Sequence, residues 1–149
     1  MSLNYLDFLE DVVGCGSDFR NMFDEIGMGT KVVRGEEKIY NSIFLILSTR
    51  KGERLFQPKF GSDLYKAIFE PNTLMFVDLV KHYVKEALSI WEKRIRVLNV
   101  EVGAMSSVEG EYVVPITIFY VINGTNITGS YVYPFNVSDR GNIEIADME

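Results

Sequence analysis

The residues that could carry out chemistry in this sequence are few and widely separated. His82 is the only histidine and Cys15 the only cysteine. A catalyst built on serine or cysteine needs the histidine beside its nucleophile. His82 falls on the polar face of a predicted helix, so we expect it to face solvent without a catalytic role, and we expect Cys15 to be a small buried or incidental residue. A single cysteine also excludes an intramolecular disulfide and a cysteine-rich zinc site.

Paired carboxylates are the remaining route to catalysis, because a glycosidase uses two of them about 5–9 Å apart. Glu53, Asp63, Glu70 and Glu92 lie in the most strongly patterned stretch of the chain. Nothing in the sequence singles out one of them as an acid with a raised pKa, so a surface or ion-pair role is the favoured interpretation for each. The sequence has no cluster with metal-ligand spacing and no glycine-rich phosphate loop, so it predicts no metal and no cofactor.

Composition and charge exclude several classes of protein. The chain has 149 residues, of which 47% are hydrophobic and 13% aromatic, and this fits one folded domain rather than a disordered chain. Its net charge of −6 argues against a strongly basic nucleic-acid binder. The sequence lacks a long apolar run, and its N-terminus is acidic, so we expect neither a membrane span nor a signal peptide and place the protein in a cytoplasm-like compartment.

The charge distribution suggests three parts, an acidic arm over 1–35, a domain over 36–137 and an acidic tail over 138–149. Residues 1–37 carry a net charge of −5, residues 38–137 carry +2, and the tail carries −3. Such asymmetry indicates that the two ends and the middle meet different surroundings.

Apolar residues at helical spacing predict two helices separated by a loop in the first half of the domain. The first helix begins at Glu36 and is expected to end at the basic pair Arg50–Lys51, with Gly52 as its C-terminal cap. After a loop punctuated by proline and glycine, Ser62 is expected to cap a short second helix that has Phe69 on its apolar side.

A third helix, the longest, is predicted over residues 74–91, where the apolar side chains form one stripe. After Arg94 the apolar period changes to two, which is typical of a strand. In this first strand Leu98, Val100 and Val102 are expected to share one face.

Two further strands complete the predicted sheet, one over Tyr112–Ile122 and one over Thr128–Val137. The dipeptide Asn123-Gly124 between them is a strong hairpin signal. Pro115 and Pro134 interrupt these strands, so at least one strand should have an edge or a bulge. The predicted fold class is α+β, with three helices followed by an antiparallel three-stranded meander and preceded by an N-terminal arm.

The stretch from Asn41 to Arg96 carries a more specific pattern than any catalytic motif. It reads NSIFLILSTRKGERLFQPKFGSDLYKAIFEPN and continues into the long helix, which ends in WEKRIRV. Its core is T-x-x-G-E-R from Thr49 to Arg54, followed by Pro58 and by Phe60-Gly61. This pattern resembles the baseplate-wedge family of contractile phage tails, also called tail-lysozyme-like proteins, which includes the sheath-initiating component of type VI secretion baseplates. The resemblance extends over residues 36–137.

A family signature, Glu-Pro-Arg at the end of the long helix, corresponds here to Glu92-Lys93-Arg94. Because a proline would help to stop the helix, we expect Lys93 to let the helix run slightly further. The resemblance implies that this motif docks the protein on the helical core bundle of the baseplate wedge. Considered as residues alone, Glu92 and Arg94 could instead cap the helix and bridge each other.

The loop motif is expected to anchor the loop through glycine turns, a stiffening proline and an aromatic side chain. Its acidic and basic members could tie the loop to the helices or belong to a partner surface, and we favour the structural role. The residues of this motif are Gly52, Glu53, Arg54, Pro58, Phe60 and Gly61.

The resemblance also implies that the C-terminal strands offer an edge to the first subunits of the tail sheath. An unpaired strand edge is a template for strand addition, which makes this role physically reasonable. The candidate sheath-facing residues are Tyr112, Val114, Ile116, Ile118, Tyr131 and Tyr133.

The resemblance implies a structural, non-enzymatic protein of the virion tail baseplate, or of a related secretion or injection machine, assembled in the host or bacterial cytoplasm. Its implied partners are other baseplate wedge proteins, the tail sheath protein and tube-proximal baseplate proteins, without nucleic acid or membrane. The older lysozyme name leaves a peptidoglycan-cleaving glycosidase as the alternative function, and an unrelated α+β interaction domain is a third possibility.

The segment Lys85–Arg96 has a local charge of +2, which predicts an acidic or carbonyl-rich partner surface there.

Overall fold

A computed structural model describes residues 13–17, 32–70, 74–108 and 111–137, so most of the predicted arm and the whole acidic tail lie outside the described residues. In chain order the elements are β1 (Cys15–Ser17), β2 (Val32–Arg34), α1 (Glu36–Ser48), a 3₁₀ helix (Leu64–Phe69), α2 (Leu74–Trp91), β3 (Ile95–Val102), β4 (Ser106–Val108), β5 (Glu111–Ile122) and β6 (Thr128–Asn136). Helices followed by an antiparallel sheet confirm the predicted α+β class.

The main sheet is organised around β5. β3 and β4 pair with β5 one after the other along one side, and β6 pairs with it along the other side. The predicted meander is therefore present, but its first strand is interrupted and resumes as β4, in a segment outside the three predicted strands. β1 and β2 form a separate antiparallel pair.

The two prolines of the sheet lie opposite each other, in places where no ladder hydrogen bond is needed. Pro115 lies between the ladders of β3 and β4, where its carbonyl oxygen accepts the N–H of Gly103 at 2.8 Å. Pro134 is its partner in β6, which pairs only with β5 among the described strands. The expectation of an edge or an irregularity is confirmed for both prolines.

The predicted inward face of the first strand is wrong at Leu98. The register of β3 against β5 shifts between Val97 and Asn99, which leaves Leu98 in a bulge. Leu98 is 51% exposed, whereas Val100 is buried. A bulge reverses the alternation of side chains, and a period-two pattern alone does not reveal where this happens.

Both long helices pack on one face of the sheet and form the core with it. α2 has the predicted bounds, and its buried stripe lies against β3, while aromatic side chains of α1 lie over β6. Val13, from the short described N-terminal segment, joins this core at 4% exposure. No helix within the described ranges has the length and apolarity needed to span a bilayer. The largest fully buried side chains are Tyr120, Ile39, Ile43, Leu64, Leu88, Ile116, Ile118, Ile122, Val80, Val84 and Val100.

α1 ends before the predicted pair Arg50–Lys51. Thr49 caps the helix, since its N–H and its Oγ1 donate to the carbonyl oxygen of Leu45 at 3.1 and 2.7 Å. The chain then becomes extended, and Arg50 forms a parallel bridge with Ser62. Gly52 therefore lies inside the following loop and does not cap the helix.

The short second helix is a 3₁₀ helix, preceded by Ser62 as predicted. The Ser62 hydroxyl accepts the N–H of Leu64 at 3.4 Å and donates to the carbonyl oxygen of Leu47 at 3.1 Å. Phe69 is 63% exposed, so its predicted place on the apolar side is wrong. A 3₁₀ helix has about three residues per turn, and residues at α-helical spacing therefore do not share a face. Here Leu64 and Ala67 are aligned and buried.

Candidate functional site

The chain turns from α2 into β3 through Glu92, Lys93 and Arg94, hereafter the Glu92–Arg94 corner. α2 ends at Trp91, so the expected extension of the helix through Lys93 does not occur. Glu92 is only 3% exposed, whereas Lys93 is exposed. Because a buried carboxylate is costly unless it is paired and hydrogen-bonded, Glu92 requires a cation at this position.

Arg94 is that cation, and its guanidinium forms a bidentate contact with the Glu92 carboxylate. Nε donates to Oε1 at 2.6 Å, and Nη2 donates to Oε2 at 2.5 Å. The planar fork of arginine matches a carboxylate in this way, which a lysine could not do. Within the chain, Glu92 and Arg94 thus bridge each other.

The same guanidinium also joins distant parts of the chain. Its Nη1 donates to the carbonyl oxygen of Val13 at 3.0 Å, and its Nη2 donates to Oγ of Ser42 on α1 at 2.7 Å. On the other side, Asn123 donates its N–H to the carbonyl oxygen of Arg94 at 2.8 Å and its Nδ2 to that of Lys93 at 2.7 Å. The corner therefore connects the N-terminal segment, both long helices and the β5–β6 hairpin.

Two open clefts flank Lys93. The loop-side cleft, of about 510 Å³, lies against α1 and is lined by Arg54, Phe60 and Ile90 together with the corner. The hairpin-side cleft, of about 460 Å³, is lined by Lys85, Ser89, Lys93, Ile95, Arg96, Val97 and Asn123. Since Arg94 neutralises Glu92, the remaining charges in both clefts are positive, and they suit an acidic or carbonyl-rich surface.

Residues 49–62, hereafter the motif loop, form a closed and hydrogen-bonded structure. At its base, Ser62 donates its N–H to the carbonyl oxygen of the first loop residue at 2.9 Å. Further out, the N–H of Gly52 donates to the carbonyl oxygen of Pro58 at 2.8 Å. Gly52 and Gly61 have φ angles of +94° and +107°, a region that glycine enters without the steric cost of a side chain.

Three other motif residues contact one another and the end of α2. The Glu53 carboxylate accepts the N–H of Arg50 at 3.0 Å, which holds a turn within the loop. The guanidinium of Arg54 lies 4.6 Å from the ring centroid of Phe60. The Phe60 ring in turn meets Trp91 edge-on, with centroids 5.0 Å apart. Glu53 and Arg54 therefore both make contacts within the loop, Arg54 also lines the loop-side cleft, and Phe60 carries the aromatic contact with α2.

Lys51 also ties the motif loop to α2, and sequence reasoning did not single it out. Its Nζ donates to Oδ2 of Asp63 at 2.6 Å and to Oε1 of Glu86 at 3.3 Å. The hydrogen bond to Asp63 raises the pKa of Lys51 in spite of its partial burial. Burial raises the pKa of Asp63, but hydrogen bonds from Lys51 and Lys66 outweigh it and hold that pKa below its usual value. The contact with Glu86 joins residues far apart in sequence, so no local pattern could have revealed it.

The stretch of chain that contains the motif loop and the corner also matches a known protein family. The model of the family described as baseplate wedge protein gp25 matches residues 33–127, which is more than half of the chain. This chain belongs to the gp25 baseplate wedge family. The matched region of this gp25-family chain contains α1, the motif loop, the Glu92–Arg94 corner and β5.

Individual relatives agree with this membership. Over 68 residues the chain is 41% identical to baseplate wedge protein gp25 of Enterobacteria phage T4, an alignment that covers 46% of this chain and 52% of the T4 protein, about half of its length. A protein named as a candidate tail lysozyme from Geobacter sulfurreducens is 37% identical, with a TM-score of 0.59 over 68% of this chain and 89% of that one. A baseplate chain of the anti-feeding prophage shares the fold, with a TM-score of 0.62 at 17% identity over 88% of this chain and 91% of that one.

The candidate sheath-facing residues of this gp25-family chain divide between β5, which is internal, and β6, which pairs with β5 alone among the described strands. β5 is paired on both sides over most of its length, and Val114, Ile116 and Ile118 point into the core with at most 2% exposure. β5 therefore has no open edge there, which corrects its candidacy for strand addition. Tyr112, at the start of β5, is 52% exposed.

The two candidate tyrosines of β6 lie on its inner face. Tyr131 stacks on Tyr40 of α1 with ring centroids 5.3 Å apart, and Tyr133 meets Phe44 with centroids 6.0 Å apart. Their side chains hold β6 against α1. An added strand would therefore bind to the backbone of β6 and not to these rings.

The register of β6 identifies which backbone groups such a strand would meet. The N–H of Val137 donates to the carbonyl oxygen of Tyr112 at 2.7 Å, and the ladder continues without a shift to the hairpin. In an antiparallel ladder alternate residues direct both backbone groups to the same side. The odd-numbered residues of β6 therefore face β5, and the outward N–H groups belong to Thr128, Ser130, Val132 and Asn136, while Pro134 supplies none.

Several of the residues first considered for catalysis are exposed or are engaged in other contacts. His82 is exposed on α2, as predicted, and its ring lies 5.8 Å from that of Tyr83. Cys15 is exposed, which excludes the buried alternative and leaves the incidental one as a prediction. Glu92 is bound by Arg94, and the carboxylate of Asp63 is bound by two lysines. Among the described residues, no group of three or more His, Cys, Asp or Glu could hold a metal ion.

Alanine at Gly61 should destabilise the protein far more than alanine at Gly52. Both glycines have positive φ, which costs an alanine about 1–2 kcal/mol. A Cβ at Gly61 would also press on the backbone carbonyl of Thr49, whereas a Cβ at Gly52 would meet open space. We expect Gly61→Ala to lose about 3–4 kcal/mol of unfolding free energy and Gly52→Ala about 1–2 kcal/mol, as measured by urea denaturation. Equal losses would contradict a steric role for Gly61.

Asp63→Asn should lower stability at neutral pH and lose its effect in acid. The pKa of Asp63 is held below its ordinary value of 3.8, so its stabilising contribution is present above that pH and disappears as the pH falls through the lower folded value. Unfolding free energies measured by urea at several pH values should differ by about 1–3 kcal/mol between wild type and variant at pH 7, and should converge only as the pH falls below 3.8 toward the lowered pKa of the folded state. The exposed Asp78→Asn on α2 is the control, and a pH-independent gap for Asp63→Asn would refute the assignment.

Proposed function

We propose that this chain is a structural, non-enzymatic component of the baseplate wedge of a contractile tail or a related injection machine. The family membership supports this role, and the T4 relative is named as a baseplate wedge protein. The observation that carries the proposal is the Glu92–Arg94 corner, a rigid and basic junction with an open cleft on each side. Such a junction suits docking on another protein better than turnover of a small substrate.

In docking at the corner, the Glu92–Arg94 ion pair would hold the backbone in place and exposed residues around it would contact the partner. The bond between Glu92 and Arg94 fixes the backbone, and the exposed Lys93 lies between the two clefts. In this proposal the helical core bundle of the wedge contributes carboxylates or helix C-terminal carbonyls, to which lysine and arginine donate charge-assisted hydrogen bonds. Glu92 and Arg94 position this surface, and Lys93 contacts the partner.

The second proposed surface is the outer edge of β6, which would accept a strand from the tail sheath. Outward N–H groups run from Thr128 to Val132, and the Val132 side chain is 54% exposed on the outer face. Pro134 interrupts this row, so an added strand would pair with the first half of β6. The protein would in this way template the first sheath layer while it is fixed to the wedge.

The remaining proposed partners follow from this position. The chain would meet other wedge proteins at the corner, sheath subunits at β6 and tube-proximal baseplate proteins nearby. It would act in the tail baseplate after assembly in the host or bacterial cytoplasm, without contact with nucleic acid or membrane.

The alternative, a peptidoglycan-cleaving glycosidase, rests on the name of the Geobacter relative. A general acid needs a carboxyl with a raised pKa. Asp63 has the opposite shift, and both oxygens of Glu92 accept hydrogen bonds from Arg94. These contacts favour the structural role. Release of sugar from purified peptidoglycan, lost in a Glu→Gln variant that remains folded, would instead support the glycosidase.

Lys93→Glu should abolish docking without unfolding the protein. The side chain is exposed, so we expect a change of less than about 0.5 kcal/mol in unfolding free energy. Reversal of its charge against an acidic partner should reduce incorporation into purified baseplates at least tenfold, as measured by quantitative immunoblotting. Lys93 is a sharper test than Arg94, because Arg94→Ala would leave Glu92 buried and unpaired at a cost of about 3–5 kcal/mol.

The matched control for this prediction is Lys81→Glu, which lies on α2 one turn before Lys85 and outside both clefts. It introduces the same charge and should assemble like wild type. Equal incorporation of the two variants would refute docking through the corner.

Val132→Pro should block strand addition while the fold is retained. The N–H of Val132 points away from β5, so proline there removes a donor from the open edge only. We expect folded protein that enters baseplates but supports at least tenfold fewer sheathed tails by electron microscopy. Tyr133→Pro, one residue on, removes a hydrogen bond to β5 and should instead destabilise the protein by about 3 kcal/mol or more. Normal sheath assembly on folded Val132→Pro baseplates would rule out this edge.

A further inference from the structure

The tip of the motif loop holds two large apolar side chains in solvent. Leu55 is 83% exposed and Phe56 is 100% exposed. Leu74 and Met75 are also exposed, but they adjoin residues outside the described ranges. Leu55 and Phe56, in contrast, have described neighbours on both sides in the chain.

This tip is held firmly by its own backbone. The N–H of Gln57 donates to the carbonyl oxygen of Arg54 at 3.3 Å, and the N–H of Phe60 donates to that of Gln57 at 3.0 Å. Below the tip, the Phe60 ring lies between the Arg54 guanidinium and Trp91. These contacts fix the base on which Leu55 and Phe56 are displayed.

The backbone at Phe56 is strained. Its φ is +65°, which makes it the only described residue other than glycine with positive φ. A bulky side chain in this region is unusual, because its Cβ crowds the neighbouring carbonyl. Glycine or asparagine would fit the turn better, so the retained phenylalanine points to a use for its ring, and such strain is concentrated at functional sites.

The position and charge of the tip indicate the chemistry of its partner. Arg54, the neighbour of Leu55, lines the loop-side cleft together with Ile90, which is 47% exposed. Residues 50–59 carry four basic side chains and one acidic side chain. The two apolar side chains of the tip are surrounded by basic residues and lie next to a basic cleft. They are complementary to an apolar pocket bordered by carboxylates, on a protein that docks in that cleft.

We propose that the Leu55–Phe56 tip is a hydrophobic anchor that inserts into an apolar, acid-rimmed pocket of the wedge protein docked at the Glu92–Arg94 corner. This inference rests on the proposed function, since it assumes docking in a baseplate. It adds a second contact, which supplies apolar burial where the corner supplies charge. The ring of Phe56 would become buried only in the assembled wedge.

The direct test replaces Phe56 with the photo-crosslinking residue p-benzoylphenylalanine in the full-length chain, expressed as the only copy in cells that produce the particles. Irradiated baseplates should contain one crosslink from position 56 to a neighbouring wedge chain, identified by mass spectrometry. The same replacement at Phe69, an exposed phenylalanine at the far end of the 3₁₀ helix, should not yield that crosslink. Baseplates that contain the protein but show no crosslink from position 56 would overturn the anchor.

Two substitutions distinguish the contribution of the Phe56 ring to assembly from its effect on folding stability. Phe56→Gly and Phe56→Asn both tolerate positive φ, so both should raise the urea midpoint of the isolated protein or leave it unchanged. Both should nevertheless reduce incorporation into baseplates at least tenfold in competition with wild type. Incorporation equal to wild type would overturn the anchor but leave the proposed function intact, whereas absence of the wild-type chain from baseplates would overturn both.

A membrane-inserting tip is the competing explanation, because exposed Leu and Phe beside basic residues also suit an anionic lipid surface. Sedimentation with phosphatidylglycerol vesicles tests it. We expect the wild-type chain to stay in the supernatant. Vesicle binding that is lost in Phe56→Asn, with normal baseplate incorporation of that variant, would replace the protein partner by a membrane.

Discussion

The ion pair between the buried Glu92 and the partly buried Arg94 fixes the junction on which the rest of the described structure depends. Glu92 is buried where α2 gives way to the sheet, and a carboxylate in that place requires a charged partner. Arg94 supplies it, but its side chain must then lie across the junction, where it also reaches α1 and the N-terminal segment. Neutralisation of one carboxylate thus sets the relative positions of both long helices and the start of β3.

This arrangement changes what the signature at the end of α2 does. The resemblance implies that its glutamate and arginine bind a partner, whereas within the chain both are committed to each other. A partner at this corner therefore meets a surface already shaped by the ion pair. The group that remains available between the clefts is Lys93, at the position where the family pattern has proline. Charge at this position is a feature of this chain.

The sequence predicts those parts of the fold that are governed by local periodicity. The stripe of α2 and the alternation of β5 were sufficient, because each buries one regular face. The errors occur where a contact distant in sequence overrides the local pattern. Ser62 draws Arg50 into an extended bridge and ends α1 early, and a bulge turns Leu98 outward.

The candidate site, like the fold, was predictable from the sequence only in part. The corner and the motif loop were recognised as units through the family resemblance, which rests on contiguous residues. The role of Lys51 was not, since its partners Asp63 and Glu86 lie 12 and 35 positions away. The exposure of Phe56 was also hidden, because an apolar residue between Leu55 and a proline-containing loop reads as a packing residue. Only the three-dimensional path of the loop, with φ of +65° at Phe56, reveals that the ring points outward.

The motif loop also connects the two proposed partner surfaces. On one side it reaches α2 through Lys51 and Phe60, next to the corner. On the other side Arg50 and Ser62 line a groove of about 290 Å³ together with the end of β6. A partner at the corner and a strand on β6 would thus act on opposite sides of one hydrogen-bonded loop. The geometry offered to the sheath would then depend on the position in which the protein docks on the wedge, because the same hydrogen-bonded loop contacts both surfaces.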